Sequence, residues 1–186
     1  MLYNLIPYIS STKRWRRYRQ IGDMSRTRRV PVMKSISVSV FVPGSTVPSM
    51  QDEIQDGKVT AAVEAAKKAY MSFDSDGQIP VIEYTEDFDN AVAEALAYAD
   101  KTPGVDLIVI VTNFVCDQPR RADSLLAELK DDFVVLVPVS NKGYNETWAN
   151  MLDNASPAAD KIDVITVDGL SDPSIARDEV GPWANA

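Results

Sequence analysis

Asp106-Leu107-Ile108-Val109-Ile110-Val111-Thr112 and Phe133-Val134-Val135-Leu136-Val137-Pro138-Val139 decide the fold of this 186-residue chain. Both runs are apolar at successive positions instead of alternate ones. A strand that is apolar on both sides needs cover on both sides. That is the condition of an interior strand in a parallel sheet with helices above and below.

The neighbouring segments fit that frame. Ser35–Val42 alternates with period two and is β-branched, so it reads as a first strand ended by Pro43-Gly44-Ser45-Thr46. A helix is predicted over 58–73, with Val59, Val63, Ala66, Tyr70 and Phe73 on one face. Gly57 separates it from a short turn within 47–57. Gln78–Tyr84 is the second strand, and Pro80, which lacks a ladder donor, places it at an edge. Asp87 is positioned to cap a helix over 88–101, with Phe88, Val92, Leu96 and Ala99 inward. Asp117 is placed likewise before a helix over 118–131 with Ala122, Leu125, Leu126 and Leu129 inward. A further helix over 145–155, starting at Asn141 or Asn145, turns Trp148, Met151 and Leu152 inward. The fifth strand is Ile162–Val167, and Asp172-Pro173 opens a last short helix stopped by Gly181-Pro182.

Five strands alternating with helices predict a three-layer α/β fold, a doubly wound and mostly parallel five-stranded sheet of flavodoxin-like or Rossmann-like type. The two doubly apolar strands belong inside the sheet, and the strands broken by polar residues or proline belong at its edges. The order 2-1-3-4-5 meets both conditions. Its weak point is Ser35, Ser37 and Ser39, which put small polar groups on one face of a central strand. Either a closely packed helix covers that face, or the first strand lies nearer an edge.

Charge divides the chain. Residues 1–34 hold nine cations and one acid, while the remainder holds ten cations and 26 acids. Residues 1–33 are therefore read as a basic, disordered arm, and 34–186 as an acidic domain. Four readings of the arm stay open. It is an upstream extension of a chain that truly starts at Met33 or Met24, a presequence, a contact for an acidic surface, or a nucleic-acid arm. In the last case Lys13, Arg14, Arg16, Arg17 and Arg19 would meet phosphates while Trp15 and Tyr18 stack on bases.

Composition removes several chemistries. The chain has no histidine, which excludes Ser-His-Asp and Cys-His catalysis and His-bearing zinc sites. The Gly57-Lys58 pair is followed by Val59 and lies well after the strand, so it is not a phosphate loop. No Gly-x-Gly-x-x-Gly fingerprint occurs. Neither a metal nor a cofactor is expected. No apolar run reaches 18 residues, so no membrane span is expected. With one cysteine, Cys116, no internal disulfide forms, and a cytoplasmic protein is the expectation. The sequence leaves the oligomeric state unset.

In open α/β sheets ligands bind beyond the carboxyl ends of the strands, at the switch in strand order. The residues placed there are Gly44, Ser45 and Thr46 after the first strand, Thr112 and Asn113 after the third, and Ser140, Asn141 and Lys142 after the fourth. Glu86 and Asp87 follow the second strand and are candidates for Mg²⁺ or a base. Arg120-Arg121 opposes the dipole of its helix, which suggests an acidic ligand or pairing with nearby aspartates. The acid clusters Asp52, Glu53 and Asp56, Asp74 and Asp76, and Asp131-Asp132 read as solvated faces. The expected function is a non-catalytic acidic binding module for a protein partner. One alternative is an enzyme that binds a nucleotide or phosphate ligand in the strand-end crevice, and another is a structural subunit tethered by its arm.

Overall fold

The computed structural model describes residues 36–74, 76–101, 105–129, 132–144, 161–172 and 174. The basic arm and the predicted helix over 145–155 lie outside the described residues; of the predicted helix after Asp172 only Ser174 is described, and its N–H donates to the Asp172 carboxylate at 2.9 Å.

Five parallel strands form one sheet: β1 (Ile36–Pro43), β2 (Val81–Tyr84), β3 (Val105–Thr112), β4 (Phe133–Pro138) and β5 (Ile162–Val164). Their order is β2-β1-β3-β4-β5, as the burial pattern of the sequence required. Leu107, Ile108, Val109, Ile110 and Val111 are all buried, as are Phe133 through Val137. Both faces of the two central strands are therefore covered. Register pairs Val38 with Leu107 and Val40 with Val109, then Leu107 with Phe133 and Val109 with Val135.

After β1 the chain forms a 3₁₀ turn (Pro48–Met50), a short helix α1 (Gln51–Gln55) and a longer helix α2 (Lys58–Tyr70). Gly57 stands between the two helices in the left-handed region at φ 73°. A side chain is strained there, which accounts for glycine. The remaining helices are α3 (Phe88–Ala99), α4 (Pro119–Ala127) and α5 (Val167–Leu170). Helix α2 packs on β1 and β3 and against α5, and α3 packs on β3 and β2 and against α4. The layers are thus helix, sheet, helix.

The Ser39 face of β1 meets a helix layer. Phe41 shares the face of Ser39 and packs edge-on against Tyr98 of α3, with ring centroids 5.8 Å apart. The buried stripe of α3 includes Ala91, Ala95 and Ala99, small residues that permit close approach. Ser39 is buried, and its hydroxyl has no hydrogen-bond partner among the described residues.

Several boundaries differ from expectation. Helix α4 starts at Pro119 with Gln118 at the cap position, one residue beyond the predicted Asp117, and ends at Ala127 instead of 131. β2 begins at Val81 because Pro80 cannot donate to a ladder, although its carbonyl accepts from Val40 at 3.0 Å. β5 stops at Val164, and Val167 starts α5, which strand periodicity did not show. Thr166 caps α5 by accepting from the Gly169 N–H at 3.1 Å.

Two of the acid clusters read as solvated turn out to close strand margins. β2 starts opposite Val40, so the β1 backbone before that point has β3 on one side and no strand on the other. The Asp74 carboxylate accepts from the Val38 N–H at 3.1 Å and from the Gln78 N–H at 2.8 Å. At the amino end of β3, Asp132 accepts from the Asp106 N–H at 3.1 Å. The Asp106 side chain is itself buried. Burial, and next the nearby Asp132 carboxylate, raise its pKa to about 6.

That shift sets a pH dependence. The folded chain holds a proton on Asp106 that the unfolded chain releases near pH 3.8, so stability falls as pH rises from about 4 to 6. Asp106→Asn is expected to raise stability at pH 7 by about 1 kcal/mol, solvent screening at the strand end reducing the full value of the shift. At pH 3.5 it should match the wild type. Urea unfolding at both pH values checks this, and a less stable variant at pH 7 would refute it.

Candidate functional site

The carboxyl ends of β1, β3 and β4 bring together the segments named from sequence, but mostly as structural parts. The Gly44 N–H donates to the Tyr84 carbonyl at 2.8 Å and is not available to an anion. A side chain at Gly44 would press on that same carbonyl, at 3.1 Å. Ser45 and Thr46 are exposed. The Ser45 carbonyl accepts from the Gln51 side chain at 2.8 Å, which folds the loop back on α1.

Thr112 and Asn113 are buried and engaged in a turn. The Thr112 hydroxyl accepts from the Phe114 N–H at 2.9 Å, and the Asn113 side-chain oxygen accepts from the Val115 N–H at 3.0 Å. The Asn113 amide donates to the Ser49 carbonyl at 2.8 Å, tying β3 to the 3₁₀ turn. Between them these bonds hold Phe114 at φ 60°, a conformation that costs a residue with a side chain about 1–3 kcal/mol. Buried Phe114 recovers contact with Phe88 and Tyr144, at ring-centroid distances of 5.6 and 5.2 Å. The loop after β4 lies directly over this turn. The Gly143 N–H donates to the Asn113 carbonyl at 3.0 Å, and a side chain at Gly143 would collide with the Phe114 carbonyl and the Val115 nitrogen.

Glu53 closes the crevice, and it is the residue that sequence reasoning missed. Read as part of a solvated cluster, it is 1% exposed. Its carboxylate accepts from the Ser140 hydroxyl at 2.6 Å and from the Lys142 ammonium at 3.1 and 3.2 Å. Lys142 also reaches the exposed Asp52 at 2.9 Å. Burial pushes the Glu53 carboxyl up, but the Ser140 hydroxyl, its own backbone N–H and Lys142 outweigh burial and hold it below its ordinary value. Hydrogen bonds from Lys142 to Asp52 and Glu53 hold the lysine above its own. The signal in the sequence was spacing, for Glu53 follows buried Met50 by three residues and so lies on its side of the helix. Asn141 is exposed. Ser45, Thr112, Asn113 and Lys142 therefore do not line one open pocket.

An open cleft of about 300 Å³ lies instead beyond β2, between the starts of α3 and α4. Glu86, Asp87, Asp89 and Asp117 face it with Arg121. Asp87 stands at the cap position of α3, as expected, but makes no side-chain cap; its carboxylate accepts from the Ser49 hydroxyl at 3.2 Å. Arg121 pairs with buried Asp89 at 2.7 Å and donates to the Asn90 side chain at 2.8 Å. Its charge is spent within the chain, whereas Arg120 is exposed. Among the described residues no group of three His, Cys, Asp or Glu is placed to hold a metal ion. Cys116 is half-buried. No described helix is long and apolar enough to cross a membrane.

Fold and site define a doubly wound α/β domain with an open acidic cleft beyond β2. No family model and no curated protein matches the chain. It is similar to a solved structure described as a putative lipoprotein fragment from Peptoclostridium difficile 630. Identity is 13% and the TM-score 0.43, over 78% of this chain and 96% of that one. Likeness at this level assigns no function. The cytoplasmic expectation is withdrawn, because its ground, the lone Cys116, carries no information on compartment. A chain with one cysteine forms no internal disulfide in any compartment.

Gly143→Ala is expected to cost about 3 kcal/mol, because the new methyl meets backbone that has no room to yield. Chemical unfolding at unchanged denaturant slope measures it, and a loss below about 1 kcal/mol would show that the loop gives way.

Proposed function

We propose that this domain is a non-catalytic binding module that takes a basic segment of a protein partner into the cleft between the starts of α3 and α4. One observation carries the reading. The cleft presents four carboxylates, and its single cation is already paired with one of them. Arg121 shows how a guanidinium is received there, by Asp89 and Asn90 together. Residues 35–186 carry 26 acids against ten cations, so the field around the cleft draws cationic partners and repels nucleic acid. Thr112 and Asn113 are spent on the turn after β3 and Lys142 on Glu53, which counts against their holding a nucleotide. A role for Lys13–Arg19 in nucleic-acid binding would be separate from this site.

The test is binding of the full chain to a labelled arginine-rich peptide, followed by fluorescence anisotropy. Wild-type affinity should fall steeply as salt rises from 50 to 300 mM. Glu86→Lys with Asp117→Lys should weaken binding about tenfold at low salt, without loss of thermal stability. Equal affinity of variant and wild type would refute the reading, as would tighter binding to an acidic peptide or to single-stranded DNA.

A further inference from the structure

The Glu53 contact has the makings of a binding site as well as of a structural brace. Its two oxygens are met by one hydroxyl and one ammonium, Ser140 at 2.6 Å and Lys142 at 3.1 and 3.2 Å. Both donors come from the loop after β4. They lie beyond the carboxyl end of an interior strand, where ligands of open α/β sheets are held. The group they hold is a fully buried carboxylate, so the pair already receives an oxyanion.

The residue that fills the place is carried on a short helix. Helix α1 has only five residues and no side-chain cap. A 3₁₀ turn bounds it on one side and left-handed Gly57 on the other. Asp52, the other acid that meets Lys142, sits on the same short helix with a largely exposed side chain. If α1 moves away, both carboxylates leave together, and Lys142 loses both of its acid partners.

We propose that Ser140 and Lys142 form an oxyanion site that the chain itself occupies with Glu53, and that a small carboxylate or phosphate anion takes the place of Glu53. The site then has two occupants in competition. With Glu53 seated, α1 is clasped to the β4 loop. With an external anion seated, α1 is released from Lys142 and its acids return to solvent. This site is distinct from the acidic cleft, and none of the cleft residues takes part.

Thermal unfolding of the full chain tests it, with sodium acetate and sodium phosphate as probes against sodium chloride at equal ionic strength. Glu53→Ala should melt lower than the wild type. It should then regain about 3–6 °C at an anion concentration tenfold above the dissociation constant, saturably and beyond the effect of chloride. The wild type should respond less, because its own carboxylate competes. Glu53→Ala combined with Lys142→Met should not respond beyond chloride. Saturation at lower phosphate than acetate would identify a phosphoryl ligand, and the reverse a carboxylate. The proposal is overturned if Glu53→Ala responds to neither probe more than to chloride, or if the double variant responds as the single one does. Should Glu53→Ala not fold, Glu53→Ser also leaves room for an anion and keeps a polar group in that place. The same titration applies to it, with the same overturning result.

Discussion

The backbone of β1, β3 and β4 is buried on both faces, and each N–H and C=O in it needs a partner, since a buried unpaired one costs as much as a lost hydrogen bond. Within the sheet the ladders supply those partners. At the margins, where one strand outruns its neighbour, side chains must. Asp74 does so for Val38 and Asp132 for Asp106, while Thr112 and Asn113 satisfy the N–H groups of the turn after β3. Much of the remaining architecture follows from this need. It fixes the sharp turn at Phe114, the glycine at 143 that lies across it, and the closure of the crevice where a ligand would otherwise sit.

The sheet was legible in the sequence because burial on both sides leaves a mark in composition. Leu107–Val111 and Phe133–Val137 could not be half-exposed, and that set the strand order. The helices were legible from spacing, with errors at their ends. There a cap is decided by local geometry, as with Gln118 in place of Asp117. The site was much less legible. Ser45 and Thr46 are surface residues, and Thr112 and Asn113 are spent on a turn. Glu53 looked like any acid in Gln51-Asp52-Glu53-Ile54-Gln55-Asp56. Its partners, Ser140 and Lys142, are more than 80 residues away, and nothing local announces them.

The acids therefore divide into two populations that composition does not separate. In each cluster one member is drawn inward to a donor: Glu53, Asp74 and Asp132. Others, such as Asp52 and Asp56, keep largely exposed side chains. The first kind contributes to folding through specific bonds. The second contributes to the field that a partner would feel. Arg121 joins the two, because it neutralises buried Asp89 while lying at the wall of the cleft where Glu86 and Asp117 are exposed.

The sheet ends on one side in a strand of four residues, preceded by Pro80 and carrying Glu83, and on the other in a strand of three. Register turns Pro80, Ile82 and Tyr84 toward β1, which leaves only Val81 and Glu83 with outward backbone groups. A second copy aligned on that margin would gain few hydrogen bonds and would meet a negative charge. Sheets grow into fibrils by adding chains at such margins. The brevity of the described outer strands thus limits the backbone through which a very apolar sheet centre could seed polymerisation.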